Sequence, residues 1–263
     1  MNIIVCVKQV VAGDQVKFDP RAHRLVRSSE ISRINPFDLF ALEMGARLKK
    51  EYDGSVTALT MGPEISEEVL WEALAFGADR GVLLTDPRFA NGDTLATSYA
   101  LGMAIRKIGH YDLILCGLRT TDSGTAQVGP QLAEELGIPH VSAVESLKKR
   151  ERLFQVERVS DGYREMMEVY TPALFTVSPK IKMRTPSLNE IQDAFTRYRI
   201  ERWNLEDVTA DPQKVGSSGS CTWVEELIPL NQQKTCLFVE GDPREQARSL
   251  IKKLVALSIG DLE

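Results

Sequence analysis

Three features of this 263-residue chain predict a doubly wound α/β fold built on a mainly parallel sheet. Apolar runs such as Ile3–Val7 and Tyr111–Cys116 show little polar alternation, as strands buried on both faces require. Four strand-like segments alternate with three helix-like segments up to Cys116, and glycine, proline or asparagine marks many of the changeovers. Such alternation makes parallel strands joined by right-handed crossovers, which gathers the strand-to-helix loops on one edge of the sheet.

The first strand covers residues 2–7. After a polar loop, Asn35 is the expected N-cap and Pro36 the first residue of a helix reaching about Tyr52, because the missing proline N–H has no helical partner there anyway. Ser55–Thr60 is the second strand. Gly62 and Pro63 break it, and Val69, Leu70, Ala73 and Leu74 share one face of a helix that Gly77 stops. Gly81–Thr85 follows as a strand, Asp93 caps a helix to about Ile108, and Tyr111–Cys116 is the next buried strand. A ligand is expected in the loops after residues 7, 60, 85 and 116, at the switch point of the sheet.

From about Val144 the pattern changes. Leu153–Val159 and Tyr163–Val169 flank Asp161-Gly162, a two-residue hairpin signal, so an antiparallel ribbon is expected at the sheet margin. Pro172–Val177 reads as one more short buried strand, Lys180–Glu201 as mixed and charged, and Asp211–Ser220 as a flexible Gly/Ser stretch. A last strand, Thr235–Glu240, precedes a helix capped by Asp242 and begun by Pro243. Its stripe of Ala247, Leu250, Ile251 and Leu254 must be covered either by this chain's own core or by a partner. The whole is a three-layer, Rossmann-like architecture with an antiparallel β-ribbon and a C-terminal arm.

Composition excludes several classes. Hydrophobic residues at 43% and charged residues at 26% are ordinary for a globular protein, and no apolar run approaches the roughly 18 residues of a membrane span. The N-terminus reads as a core strand, not a signal peptide, so a cytoplasmic protein without membrane insertion is expected. A net charge of -5 with both signs interspersed offers nucleic acid no basic surface. Cys6, Cys116, Cys221 and Cys236 show no CxxC spacing and are expected to be buried, reduced thiols. His23, His110 and His140 are too scattered for a metal cluster, and no nucleophile elbow is present. No set of titratable groups is gathered in the way proton- or acyl-transfer catalysis needs.

The most informative segment is Gly117–Pro130, directly after a buried strand and leading into a helix. Gly124 and Ala126 would let a ligand approach the backbone, amides at the start of the helix favour an anion, and Ser123 and Thr125 add hydroxyls. The segment is neither a P-loop nor a GxGxxG fingerprint. A purely local reading makes Asp122 or Ser123 the helix cap. Thr94 and Thr97, one turn apart after Asp93, would face the same crevice, or else lie on the surface of an ordinary capped helix. Asn35 and Asp38 sit at the first crossover, where capping explains both equally well.

Taken in order, Val5-Cys6-Val7-Lys8-Gln9, Asn35-Pro36-Phe37-Asp38, Gly77-Ala78-Asp79-Arg80, Asp93-Thr94-Leu95-Ala96-Thr97-Ser98, Tyr111–Gly117 and Thr125-Ala126-Gln127-Val128-Gly129-Pro130 resemble the β subunit of electron transfer flavoprotein. The match is collinear over most of the chain. It implies a heterodimer with an α subunit, FAD shared with that subunit, and an electron-carrier role, not catalytic in itself, between a flavin dehydrogenase and another redox partner. In the β subunit's own site the family holds AMP, or a second FAD in members that bifurcate electrons. By position, the implied nucleotide contacts are Cys6, Asn35, Pro36, Phe37, Asp38, Met61, Thr94, Thr97, Gly117, Arg119, Asp122, Ser123, Gly124, Thr125, Ala126, Gln127 and Val128. The Asp93–Thr97 and Thr125–Pro130 segments look more like the second-FAD group.

One departure stands out. Where the family usually has Gly-Arg/Lys-Gln-Ala-Ile-Asp, this chain has Gly117-Leu118-Arg119-Thr120-Thr121-Asp122, and Gly124 replaces a second acidic position. The loss of that carboxylate would reduce repulsion toward a diphosphate. Leu188 matches the leucine that anchors the subunit on its dehydrogenase, and Glu165 a glutamate that pairs with an arginine of the mobile flavin domain. The organisation the resemblance implies is a nucleotide-binding domain over 1–195, with the ribbon at about 144–177 and a recognition loop at about 182–194, followed by a partner-contacting arm over 196–263. A nucleotide-binding regulator of the universal-stress-protein type would share the sheet, but needs a Gly-rich ATP loop that this chain lacks in its usual form. A third reading is a structural partner whose nucleotide only stabilises the fold.

Overall fold

The computed structural model of the chain describes residues 1–11, 18–19, 24–25, 32–223, 225, 236 and 238–260. It divides into two compact units, Met1–Glu225 and Glu226–Glu263. The elements of the first unit, in chain order, are β1 (Asn2–Cys6), β2 (Gln9–Val11), β3 (Phe18–Asp19), β4 (Arg24–Leu25), β5 (Ser32–Ile34), α1 (Pro36–Glu51), β6 (Ser55–Met61), α2 (Glu67–Ala75), β7 (Arg80–Leu84), α3 (Thr94–Ile108), β8 (Leu113–Gly117) and α4 (Val128–Leu136). They continue with β9 (His140–Arg150), β10 (Leu153–Ser160), β11 (Tyr163–Tyr170), β12 (Ala173–Val177), α5 (Leu188–Arg197), β13 (Ile200–Trp203) and the short α6 (Gly216–Gly219). In the second unit, α7 spans Pro243–Gly260.

One nine-stranded sheet runs in the order β11-β10-β9-β12-β8-β1-β6-β7-β13. From β9 to β13 every neighbouring pair is parallel, and β9, β10 and β11 form the antiparallel ribbon at one margin. From β1 the chain moves by crossovers to β6 and β7 on one side, then returns to place β8 on the other. The switch point therefore lies between β1 and β8, where Cys6 and Cys116 are register partners. One apolar cluster packs α1, α2 and Ala194 of α5 on one face, and a second packs α3 and α4 on the other, giving three layers. Ile3 and Val5 belong to the first cluster and Ile4 and Cys6 to the second, which is why β1 reads as an unbroken apolar run.

The hairpin at Asp161-Gly162 forms as its residues predict, with both at positive φ (50° and 82°). Several elements depart from expectation. Strand β9 begins at His140, not near Val144, because its first residues pair in parallel with β12 before the strand runs on into the ribbon. The mixed stretch 180–201 contains α5 and the start of β13, the outermost parallel strand. Residues 211–220 are not a flexible linker, for Val215 is buried and Gly216 (φ 52°) packs so tightly that a Cβ would meet the Arg88 carbonyl oxygen at 2.0 Å. Of the strand expected over 235–240, Thr235 and Leu237 lie outside the described residues, and Cys236, Phe238, Val239 and Glu240 are not in a strand. Cys6 and Cys116 are buried thiols as expected, but Cys221 and Cys236 are exposed, since neither sits on a strand of the sheet. His110 and His140 are exposed, and His23 lies outside the described residues.

Helix α7 starts where the sequence places it. The Asp242 carboxylate accepts from the Arg244 and Glu245 amides, at 2.8 and 3.0 Å. Leu250, Ile251, Leu254 and Val255 are all exposed on this helix.

Candidate functional site

The carboxyl ends of β1, β6 and β8 and the starts of α1, α3 and α4 face the same edge of the sheet, and most of the sequence-selected residues lie on them. The reason Asn35 reaches the end of β1 is the antiparallel pairing of β2 with β5. That pairing closes the excursion between them, so that the Asn35 amide donates to the Lys8 carbonyl at 2.8 Å. Gln9 secures the same corner. Its buried amide accepts from the Ser66 hydroxyl at 3.0 Å and donates to the Ile65 carbonyl at 3.3 Å.

Asp38 is the hub. Its Oδ2 accepts from the Lys8 backbone amide at 2.8 Å, its Oδ1 accepts from Asn35 Nδ2 at 2.8 Å, and the Gly117 amide also bonds it. Burial pushes this carboxyl up to about 7 from the usual 3.8, against the lowering by those hydrogen bonds and by the Lys8 charge. Gly117 has to be glycine here, since a Cβ would come within 2.2 Å of Asp38 Oδ1. Asn35 makes no cap hydrogen bond to α1, contrary to its expected role. Its Nδ2 is taken up by Asp38 and by the Arg119 carbonyl at 2.9 Å, which ties the end of β8 to the start of α1. Fully buried, Asn35 leaves its Oδ1 without a protein partner. The Arg119 guanidinium lies 5.2 Å from the centre of the Phe37 ring, and Pro36 opens the helix behind it.

The loop after β8 does not behave as a helix start near Gly124. Helix α4 begins at Val128, so neither Asp122 nor Ser123 caps it. Asp122 pairs with Lys8 Nζ at 2.8 Å, and Ser123 bonds the Thr120 hydroxyl at 2.8 Å within a turn that the Gly124 amide closes on the Thr120 carbonyl. The anion-favouring amides move accordingly. Among the described residues, the N–H groups of Thr125, Ala126, Gln127, Val128 and Gly129 have no protein partner, and Ala126 takes φ 56°. Gly129 lets this helix start sit on the sheet, for a Cβ there would be 2.6 Å from Thr176 Cγ2. Thr94 Oγ1 donates to Gln127 Oε1 at 3.0 Å, which links the starts of α3 and α4. Thr97 lies one turn further along α3, half-buried, while Met61 and Cys6 end β6 and β1 at the same edge.

Lys8 and Gln9 also belong to the site corner, and in the sequence only their position immediately after a central strand, at the switch point, marks them. A hydrogen bond with Cys6, together with burial, holds the Cys116 thiol well above the ordinary range, which makes it a packing group. No group of three or more His, Cys, Asp or Glu among the described residues is arranged to hold a metal ion.

The two residues read as partner contacts lie away from this edge. Glu165, on β11, is paired within the ribbon to Arg158 Nε at 2.5 Å. Leu188 is the first residue of α5, not part of a loop, and is 84% exposed. Among the described residues, no helix is long and apolar enough to cross a membrane.

Residues 23–206 match the family described as "Electron transfer flavoprotein domain". The chain is 39% identical over 256 residues to the electron transfer flavoprotein subunit beta of Thermoanaerobacterium thermosaccharolyticum, covering 97% of this chain and 98% of that one. It is 40% identical over 273 residues to the protein FixA of Sinorhizobium fredii, at 97% and 94% coverage. It is also 40% identical over 258 residues to CarD, a subunit of the caffeyl-CoA reductase-Etf complex of Acetobacterium woodii, at 97% and 98% coverage.

Proposed function

Since the chain belongs to the electron transfer flavoprotein family, as a relative of its β subunits with an electron-transfer role, we propose that it is the β half of a cytoplasmic heterodimer with an α subunit and holds an adenine nucleotide at the β1/β8 switch point. The nucleotide is AMP or a second FAD, and a further FAD is shared with the α subunit. The observation that carries this reading is the combination of unpaired amides at residues 125–129 with the orphaned, fully buried Asn35 Oδ1. A run of amides at a helix start suits phosphate, and a buried acceptor left without a donor suits an N–H group of a base.

In this account Gln127, Val128 and Gly129 offer backbone donors to phosphate, Thr94 and Thr125 add hydroxyls, and Asn35 and the Arg119–Phe37 pair line the end away from the phosphates. Cys6 and Met61 supply apolar floor. The flavin provides the redox chemistry when bound, whereas this chain's residues bind, orient and exclude water. Leu188 is the docking anchor for a flavin dehydrogenase. Glu165 exchanges its Arg158 partner for an arginine of the moving flavin domain, an exposed pair of the kind worth about 0–1 kcal/mol. Weak pairing suits a domain that must swing.

The test is to denature the purified heterodimer and count the FAD and AMP released. Two FAD support a bifurcating complex, and one FAD with one AMP a simple carrier. One FAD and no other adenine nucleotide would overturn the β-chain site. A regulator of the universal-stress-protein type would instead hydrolyse or retain ATP as an isolated chain.

A further inference from the structure

The segment from Ile181 to Ser187 has no regular secondary structure, yet it is fastened at several points, and most of the bonds pass through one side chain. Arg184 Nη1 donates to Glu190 Oε1 at 2.7 Å, and Nη2 donates to the Phe76 carbonyl at the end of α2, also at 2.7 Å. Its Nε lies 3.7 Å from Glu43 Oε2 on α1, and its own amide is 3.4 Å from the same oxygen. Glu43 is buried, and its other oxygen is held by Arg47 Nε at 2.6 Å. Arg47 in turn bonds the Lys182 carbonyl. At the far end, Glu190 and Ser187 form a reciprocal capping box, with Glu190 Oε2 accepting from the Ser187 amide at 2.7 Å and Ser187 Oγ accepting from the Glu190 amide. Leu188 is the next residue after that cap. Further along α5, Phe195 stacks on Trp71 of α2 at 5.3 Å.

We propose that Arg184 is the positioning residue for the Leu188 anchor. Its guanidinium joins α1, the end of α2 and the cap of α5, so that an exposed leucine meets its partner in one preset direction. The inference rests on the docking role given to Leu188 above. An arginine is required, because a planar fork reaches acceptors on separate elements at once, whereas an ammonium on a flexible stem does not. Presetting matters because a side chain that must be ordered on binding loses affinity, and one already ordered does not. The effect therefore falls on encounter and affinity and not on the electron transfer that follows docking.

The experiment uses the complete heterodimer carrying Arg184→Ala, Arg184→Lys, Leu188→Ala or, as a control on the other face of the sheet, Arg106→Ala. Hydrogen exchange of residues 183–191 is read first, then steady-state reduction by a flavin dehydrogenase that reduces the wild-type heterodimer. Both Arg184 variants are expected to speed exchange in 183–191 at least tenfold and to raise KM for the heterodimer about tenfold, with kcat within twofold. Reduction of the bound flavin by dithionite should be unchanged. If Leu188→Ala leaves KM unaltered, the docking role of Leu188 fails. If Leu188→Ala raises KM while Arg184→Ala leaves both exchange and KM at wild-type values, or if Arg184→Lys restores both, the positioning role is overturned.

Discussion

Asp38 makes the stability of this fold depend on pH in a direction opposite to that of most surface carboxylates. Its pKa rises from 3.8 to about 7, chiefly by burial, and the Asn35, Lys8 and Gly117 hydrogen bonds only partly offset that rise. Between these values the native chain holds a proton that the unfolded chain has released. The group's contribution is therefore complete below the ordinary carboxylate range and is lost as pH rises through about 7. A shift of about three units corresponds to about 4 kcal/mol in all, of which about 2.5 kcal/mol falls between pH 5 and pH 8. At about 2–4 °C per kcal/mol for a chain of this size, Tm should drop by about 5–10 °C over that interval. Glu72, also raised by burial, adds a change of the same sign, so the measurement is best made in an Glu72→Gln background. Thermal unfolding at constant ionic strength would be followed by circular dichroism with and without Asp38→Asn. The variant should lose the slope of about 1.4 kcal/mol per pH unit between pH 5 and 7. It should also be less stable at pH 5 by about 1–3 kcal/mol, because an amide NH2 turned toward Lys8 or Asn35 leaves a buried donor unpaired. Equal slopes in the two proteins would refute the assignment of a buried, proton-holding carboxyl to this corner.

Two further outcomes follow from the site geometry. Gly124→Asp should weaken nucleotide retention, measured as release during gel filtration, whereas Gly124→Asn, equal in size and also tolerant of the 66° φ, should retain it better; equal loss in both would assign the effect to backbone strain. Asp93 caps α3 through the Leu95 and Ala96 amides at 3.0 Å, and its other oxygen accepts from the Cys221 amide at 2.9 Å. Asp93→Ala should therefore cost about 1–2 kcal/mol of stability and expose residues 220–222 to limited proteolysis, while unchanged cleavage would show that the tether holds nothing.

How much could be read without a structure differs from residue to residue. Local chemistry suffices where a few neighbouring side chains decide the outcome. Apolar runs become strands β1 and β8, Asp93 and Asp242 cap α3 and α7 as their spacing says, and Asp161-Gly162 turns the ribbon hairpin. The parallel, doubly wound class follows from the order of such segments, because right-handed crossovers leave few other arrangements. Local rules mislead where a distant partner competes for the same atoms. Asn35 occupies a cap position but gives its amide to Asp38 and to a carbonyl 84 residues away. Asp122 looks like a cap and instead meets Lys8, 114 residues distant. Such contacts exist only once β2 has paired with β5 and β8 has taken its place beside β1, so no window of sequence contains them. The same holds for the support of Leu188, a residue that the sequence marks only through the family resemblance. Its bearing is set by a carboxylate on α1 and a carbonyl at the end of α2, brought together when both helices pack on one face of the sheet.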